Sequence, residues 1–78
     1  MINNYELQDS ILNCIKQCTS IIPEIYFRDD SANVLVVFYG HIPSEEQVSP
    51  ISDALKEFGT PIANSCREAS FVSFLILR

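Results

Sequence analysis

Cys14, Cys18, Cys66 and His41 are the side chains of this 78-residue sequence with the widest chemical repertoire. Together they would match the three thiolates and one imidazole that hold zinc tetrahedrally. Their spacing argues against a metal. No CxxC pair occurs, and Cys14 and Cys18, four residues apart, fall on an apolar helical stripe where a free thiol behaves as a small buried hydrophobe. Cys66 differs, because Arg67 follows it and a neighbouring cation favours the reactive thiolate. A nucleophilic Cys66 with His41 as its base requires the two to approach in space.

His41 precedes Glu45 and Glu46 by one turn of chain, and an imidazole among carboxylates can act as a general base or a proton switch. The same two glutamates suit the first turn of a helix, where the macrodipole favours negative charge by about 0.3–1 kcal/mol. Asp29 and Asp30 are adjacent carboxylates in a turn. They lack the Asp-x-Asp-x-Asp-Gly pattern of a calcium loop, and Asp is favoured in turns for local hydrogen-bonding reasons. With only Gly40 and Gly59 present, no glycine-rich phosphate loop can form. Neither a metal nor a cofactor is expected.

Ten acids against five Lys and Arg give a net charge of −5. That balance disfavours nucleic acid and anionic membranes, whose affinity comes from clustered cations. It favours a basic protein partner through steering. No apolar run approaches the roughly 20 residues that span a bilayer, and no basic-then-apolar leader opens the sequence. Three cysteines cannot all pair with one another and read as reduced thiols, so a cytoplasmic location is expected. Hydrophobic residues make up 47% of the chain, enough for one folded domain over 1–78.

The elements that position these residues repeat. Ile11 to Gln17 and Ile51 to Glu57 carry the same helical pattern, and each is followed by a short strand, a polar turn and a more apolar strand. The chain scans as an αββ pseudo-repeat, 1–40 and 41–78. Asn3 with Glu6 predicts a capping box, Ile2 with Leu7 a hydrophobic staple, and a helix from Asn4 whose stripe runs to about Thr19. Strands are predicted over Glu24–Arg28, Val34–Tyr39, Pro61–Cys66 and Ser70–Leu77. Ser44 to Gln47 predicts a second capping box. Pro50 then predicts a kink or restart before a main helix carrying Ile51, Leu55 and Phe58 and capped by Gly59.

The predicted fold is α+β in two layers: αββαββ, a four-stranded antiparallel sheet of order 1-2-4-3 with two helices on one face. Alternation then leaves a second apolar face uncovered, since Val34, Val36 and Phe38 point one way and Leu35, Val37 and Tyr39 the other. A solvated antiparallel face is normally polar, and an apolar one marks an association surface. A small barrel, or helices on opposite faces, would bury both sets instead.

The expected function is a small acidic, non-enzymatic protein-binding domain, in the manner of an inhibitor or immunity-type antidote to a basic target. It would dock through Tyr26, Val37, Tyr39, Phe71 and Leu75 on the face and through Asp29, Asp30, Glu45 and Glu46 at the ends. The same face suits a homodimer. The alternative is a small enzyme or ligand-binding domain working at the His41, Glu45 and Glu46 end.

Overall fold

A computed structural model describes residues 3–78. The staple between Ile2 and Leu7 lies outside the described residues. Among those residues the chain forms α1 (Asn4–Lys16), β1 (Glu24–Phe27), β2 (Val34–Tyr39), α2 (Glu45–Leu55), β3 (Thr60–Cys66) and β4 (Phe71–Leu77), with one 3₁₀ turn over Arg67–Ala69. The strands make a four-stranded antiparallel sheet of order β1-β2-β4-β3. This is the α+β arrangement expected from the two apolar strands: β2 and β4 lie in the centre and the polar strands at the edges.

Asn3 starts α1, its side-chain oxygen accepting from the Glu6 N–H at 2.9 Å. Leu7, Ile11 and Ile15 are buried at successive i, i+4 positions. The helix stops at Lys16 rather than near Thr19. Cys18 N–H turns back to the Ile15 carbonyl at 2.8 Å, and the buried Thr19 uses its hydroxyl to accept from Ile21 N–H at 3.1 Å. A threonine that bonds its local backbone competes with helix continuation.

α2 departs from expectation more clearly. It is one helix through Pro50, with no restart, and Pro50 and Glu46 both face water. The donor that proline lacks leaves only the Glu46 carbonyl to be solvated. Ser44 N–H donates to Gln47 Oε1 at 2.9 Å, and Gln47 Nε2 donates to the Cys18 carbonyl at 3.3 Å, which fixes the start of α2 against the end of α1. The helix ends at Leu55 with Lys56 as its cap, so neither Phe58 nor Gly59 belongs to it. Gly59 serves another purpose. At φ +156° it lets β4 pass so closely that a Cβ would sit 2.5 Å from the Leu77 carbonyl oxygen.

One buried cluster holds the domain together. It draws Leu7, Ile11 and Ile15 from α1, Ile51 and Leu55 from α2, and only alternate residues of the central strands: Val34, Val36 and Phe38, Val72, Phe74 and Ile76. Phe38 and Phe74 meet edge to face with centroids 6.2 Å apart. Full burial of each such ring contributes about 1.5–3 kcal/mol. β3 is covered poorly. Although α2 packs against it, every residue of β3 except Pro61 is exposed, including Ala63 and Ser65 on the helix-facing side.

Candidate protein-binding face

Strand register converts the uncovered side of the sheet into rows. Tyr26 of β1, Leu35 of β2, Leu75 of β4 and Ile62 of β3 stand side by side in one row. The next contains Glu24, Val37, Ser73 and Asn64, and a third Tyr39, Phe71 and Cys66. Each row follows from period-two alternation, which carries every second residue of a strand to the same side. The two outer rows are apolar on the central strands, the middle row carries the buried hydroxyl of Ser73 beside Val37, and the margins are wettest. Leu35, Val37, Phe71 and Leu75 are half-buried among their neighbours, while Tyr26, Ile62 and Tyr39 are 51%, 48% and 72% exposed. Tyr26, Val37, Tyr39, Phe71 and Leu75, the residues predicted to dock a partner, thus share one surface.

At the Tyr39 end this surface sinks into an open depression of about 450 Å³, lined by Glu24, Tyr26, Val37, Tyr39, Cys66, Ala69 and Phe71. Its polar groups include a carboxylate with a fixed partner: the Tyr26 hydroxyl donates to Glu24 Oε2. That bond, and the nearby negative charge, raise the Tyr26 hydroxyl above its ordinary pKa. Glu24 forms no ion pair among the described residues.

The carboxylates predicted at the two ends are placed apart from this face, and their settings differ. Asp30 takes a forked pair of bonds from Arg28, at 3.1 Å from Nε and 3.2 Å from Nη2, which hold its carboxyl below the ordinary range. Asp29 beside it is exposed. At the other end Arg67 Nη1 donates to the Pro43 carbonyl at 3.0 Å, and Arg67 Nε lies 3.4 Å from Glu45 Oε1. The second hairpin is thereby tied to the loop before α2. Glu46 points to solvent.

The groups considered for catalysis are dispersed. His41 lines an open hollow of about 530 Å³ with Ser20, Ile21, Ile22, Tyr39, Gly40 and Ile42, and neither Glu45 nor Glu46 lines it. Cys66 belongs to the open face, and the Arg67 guanidinium turns to Pro43 through Nη1 and to Glu45 through Nε, while its buried Nη2 has no hydrogen-bond partner among the described residues. Cys14 points its thiol at the Ala54 carbonyl, 3.2 Å away, and at Glu57. Among the described residues no three His, Cys, Asp or Glu side chains come close enough together to hold a metal ion.

Three placements depend on register or on packing distant in sequence. Glu24 reaches the face through its i, i+2 relation to Tyr26 and its pairing with Val37. Ile62 looked like part of a polar strand, but register sets it beside Leu75. Arg67 gives no local signal of its contact with Pro43, which is 24 residues distant. Comparisons with protein-family models, curated proteins and solved structures return no match.

Proposed function

We propose that this chain is a non-enzymatic protein-binding domain that docks a basic protein on the open face of its sheet. One observation carries the reading. The central strands β2 and β4 are largely apolar on both sides, Ser73 being the one polar residue they place on the open side between Phe71 and Leu75. The helices cover the other side, leaving Leu35, Val37, Phe71 and Leu75 on a surface that an antiparallel sheet in water would line with polar groups.

Charge favours a basic partner over a second copy of the chain. Two copies would each bring a net −5 and a Glu24 to the same interface, and like charges there oppose association. Asp29 and Glu46, exposed at opposite ends of the domain, extend the acidic surface that a basic partner would meet. Inhibition of that partner, as by an immunity-type antidote, is the role such docking would serve if the face covers the partner's working site. Reduced thiols at Cys14, Cys18 and Cys66 fit a cytoplasmic setting. No helix among the described residues is long and apolar enough to cross a membrane.

The test is affinity purification of the tagged chain from its native cells beside the Val37→Lys and Leu75→Asp variants, with circular dichroism to verify folding. A basic protein recovered in stoichiometric amount with the parent, lost with both folded variants and weakened by salt, supports the proposal. A dimer in light scattering that Val37→Lys dissociates would overturn it in favour of self-association. A turnover abolished by His41→Ala, with no protein bound, would replace it with the enzyme or ligand-binding reading at the His41, Glu45 and Glu46 end.

A further inference from the structure

The geometry points to the depression between Tyr26, Tyr39 and Phe71 as a receptor for a cationic side chain, a lysine or arginine presented by the docked protein. This rests on the reading of the open face as a protein-binding surface and specifies what that surface grips. Three features select the ligand class. The first is aromatic: two tyrosines and a phenylalanine border a hollow of about 450 Å³, and ring faces attract ammonium and guanidinium groups. The second is the charge of Glu24 on the same wall. Its Oε2 already accepts the Tyr26 hydroxyl, which holds the carboxylate in place and leaves Oε1 open to a donor from outside.

The third is that no ion pair satisfies that charge among the described residues. Arg28 is forked onto Asp30, Arg67 is held by Pro43 and Glu45, and Lys56 pairs with Asp53 at 2.9 Å. A neutral apolar side chain entering the hollow would strip water from Glu24 without replacing its hydrogen bonds, which is costly for an ionised group. A lysine or arginine enters with its methylenes against Val37 and Phe71 and its charge at Glu24. Long cationic side chains commonly bury their stems in this way.

The experiment is an amide NMR titration of the whole chain with N-acetyl-lysine methylamide and N-acetyl-arginine methylamide, with the norleucine analogue as the uncharged control. Saturable shifts at residues 24, 26, 37, 39 and 71 are expected with the cationic probes, and at least about 10-fold weaker binding with norleucine. Glu24→Gln keeps the shape of the site and should weaken the cationic probes about 10-fold. Tyr39→Ala tests the aromatic wall from a separate strand and should also weaken them. Equal binding of norleucine, an unaffected Glu24→Gln variant, or shifts confined to other residues would overturn the assignment. The two proposals fail separately. A protein partner lost with Val37→Lys but indifferent to Glu24→Gln removes the cation receptor and leaves the docking face.

Discussion

Cys14 Sγ lies 3.1 Å from Glu57 Oε1, joining the outer part of α1 to the segment that follows α2 across 43 residues of sequence. Burial, then the hydrogen bond to Glu57, pushes this thiol from an ordinary 9.0 up to about 11. The native state thus holds the proton more tightly than the unfolded chain does. Its stabilising effect is complete below pH 9.0 and is lost as pH rises through about 11. Tyr26 is shifted in the same direction. Urea denaturation between pH 8 and 11 should show stability falling over that interval. Iodoacetamide at pH 8, followed by peptide mass spectrometry, should modify exposed Cys66 before Cys14, and Glu57→Gln should speed the reaction of Cys14.

Adjacent residues of β2 should respond very unequally to the same change. Val36 is fully buried against the helices, whereas Val37 stands on the open face across from Glu24. Val36→Lys places an unpaired cation in the core and should prevent folding, a loss above about 4 kcal/mol. Val37→Lys gains a carboxylate opposite it and should cost about 1 kcal/mol or less. Circular dichroism melts of the two variants measure the difference.

The two glycines make a graded pair. Gly40, at φ +85°, has open space where a Cβ would be, so Gly40→Ala carries only backbone strain of about 1–2 kcal/mol. Gly59→Ala adds a collision with the Leu77 carbonyl and with Ile76 Cγ2 at 2.9 Å. It should be the more destabilising by about 1 kcal/mol or more, read from urea midpoints.

Pro50→Ala should stabilise the protein. Alanine restores a donor for the Glu46 carbonyl and removes the ring from an exposed helical interior. Proline costs about 3 kcal/mol there, partly offset by the stiffness it lends the unfolded chain. A net gain of about 1 kcal/mol or more, with unchanged binding at the open face, is the expected outcome in thermal denaturation.

Arg67→Ala should cost about 1 kcal/mol, because it removes the donor to the Pro43 carbonyl. Glu45→Ala should cost less than about 0.5 kcal/mol, since Glu45 is 82% exposed and its ion pair is solvent-screened. Denaturation of both variants at low and high salt checks the ranking.

What could be read from the sequence was whatever local pattern determines. Val34 to Tyr39 is legible as a strand because it is a short β-branched and aromatic run bounded by turn residues, and its central place followed from needing cover on both faces. Asn3 marked α1 because a cap acts within one turn. The failures share a nonlocal cause. Whether Pro50 breaks α2 depends on which side of the helix meets water, and the use of Gly59 depends on how near Leu77 passes. The candidate surface was legible as residues but incomplete, since Glu24, Ile62 and Cys66 join it only through register with strands distant in sequence.

The uncovered edge strand β3 has a consequence for handling the protein. Thr60 to Cys66 offers seven residues of pleated backbone without a single charged side chain, interrupted only by Pro61 near its start, whereas the opposite edge has four residues and begins with a glutamate. Such an edge can extend a neighbouring molecule's sheet, so colloidal stability depends on mutual repulsion between acidic molecules. Concentrated stocks should therefore cloud first near the isoelectric point or in high salt, and Ala63→Lys should keep them clear.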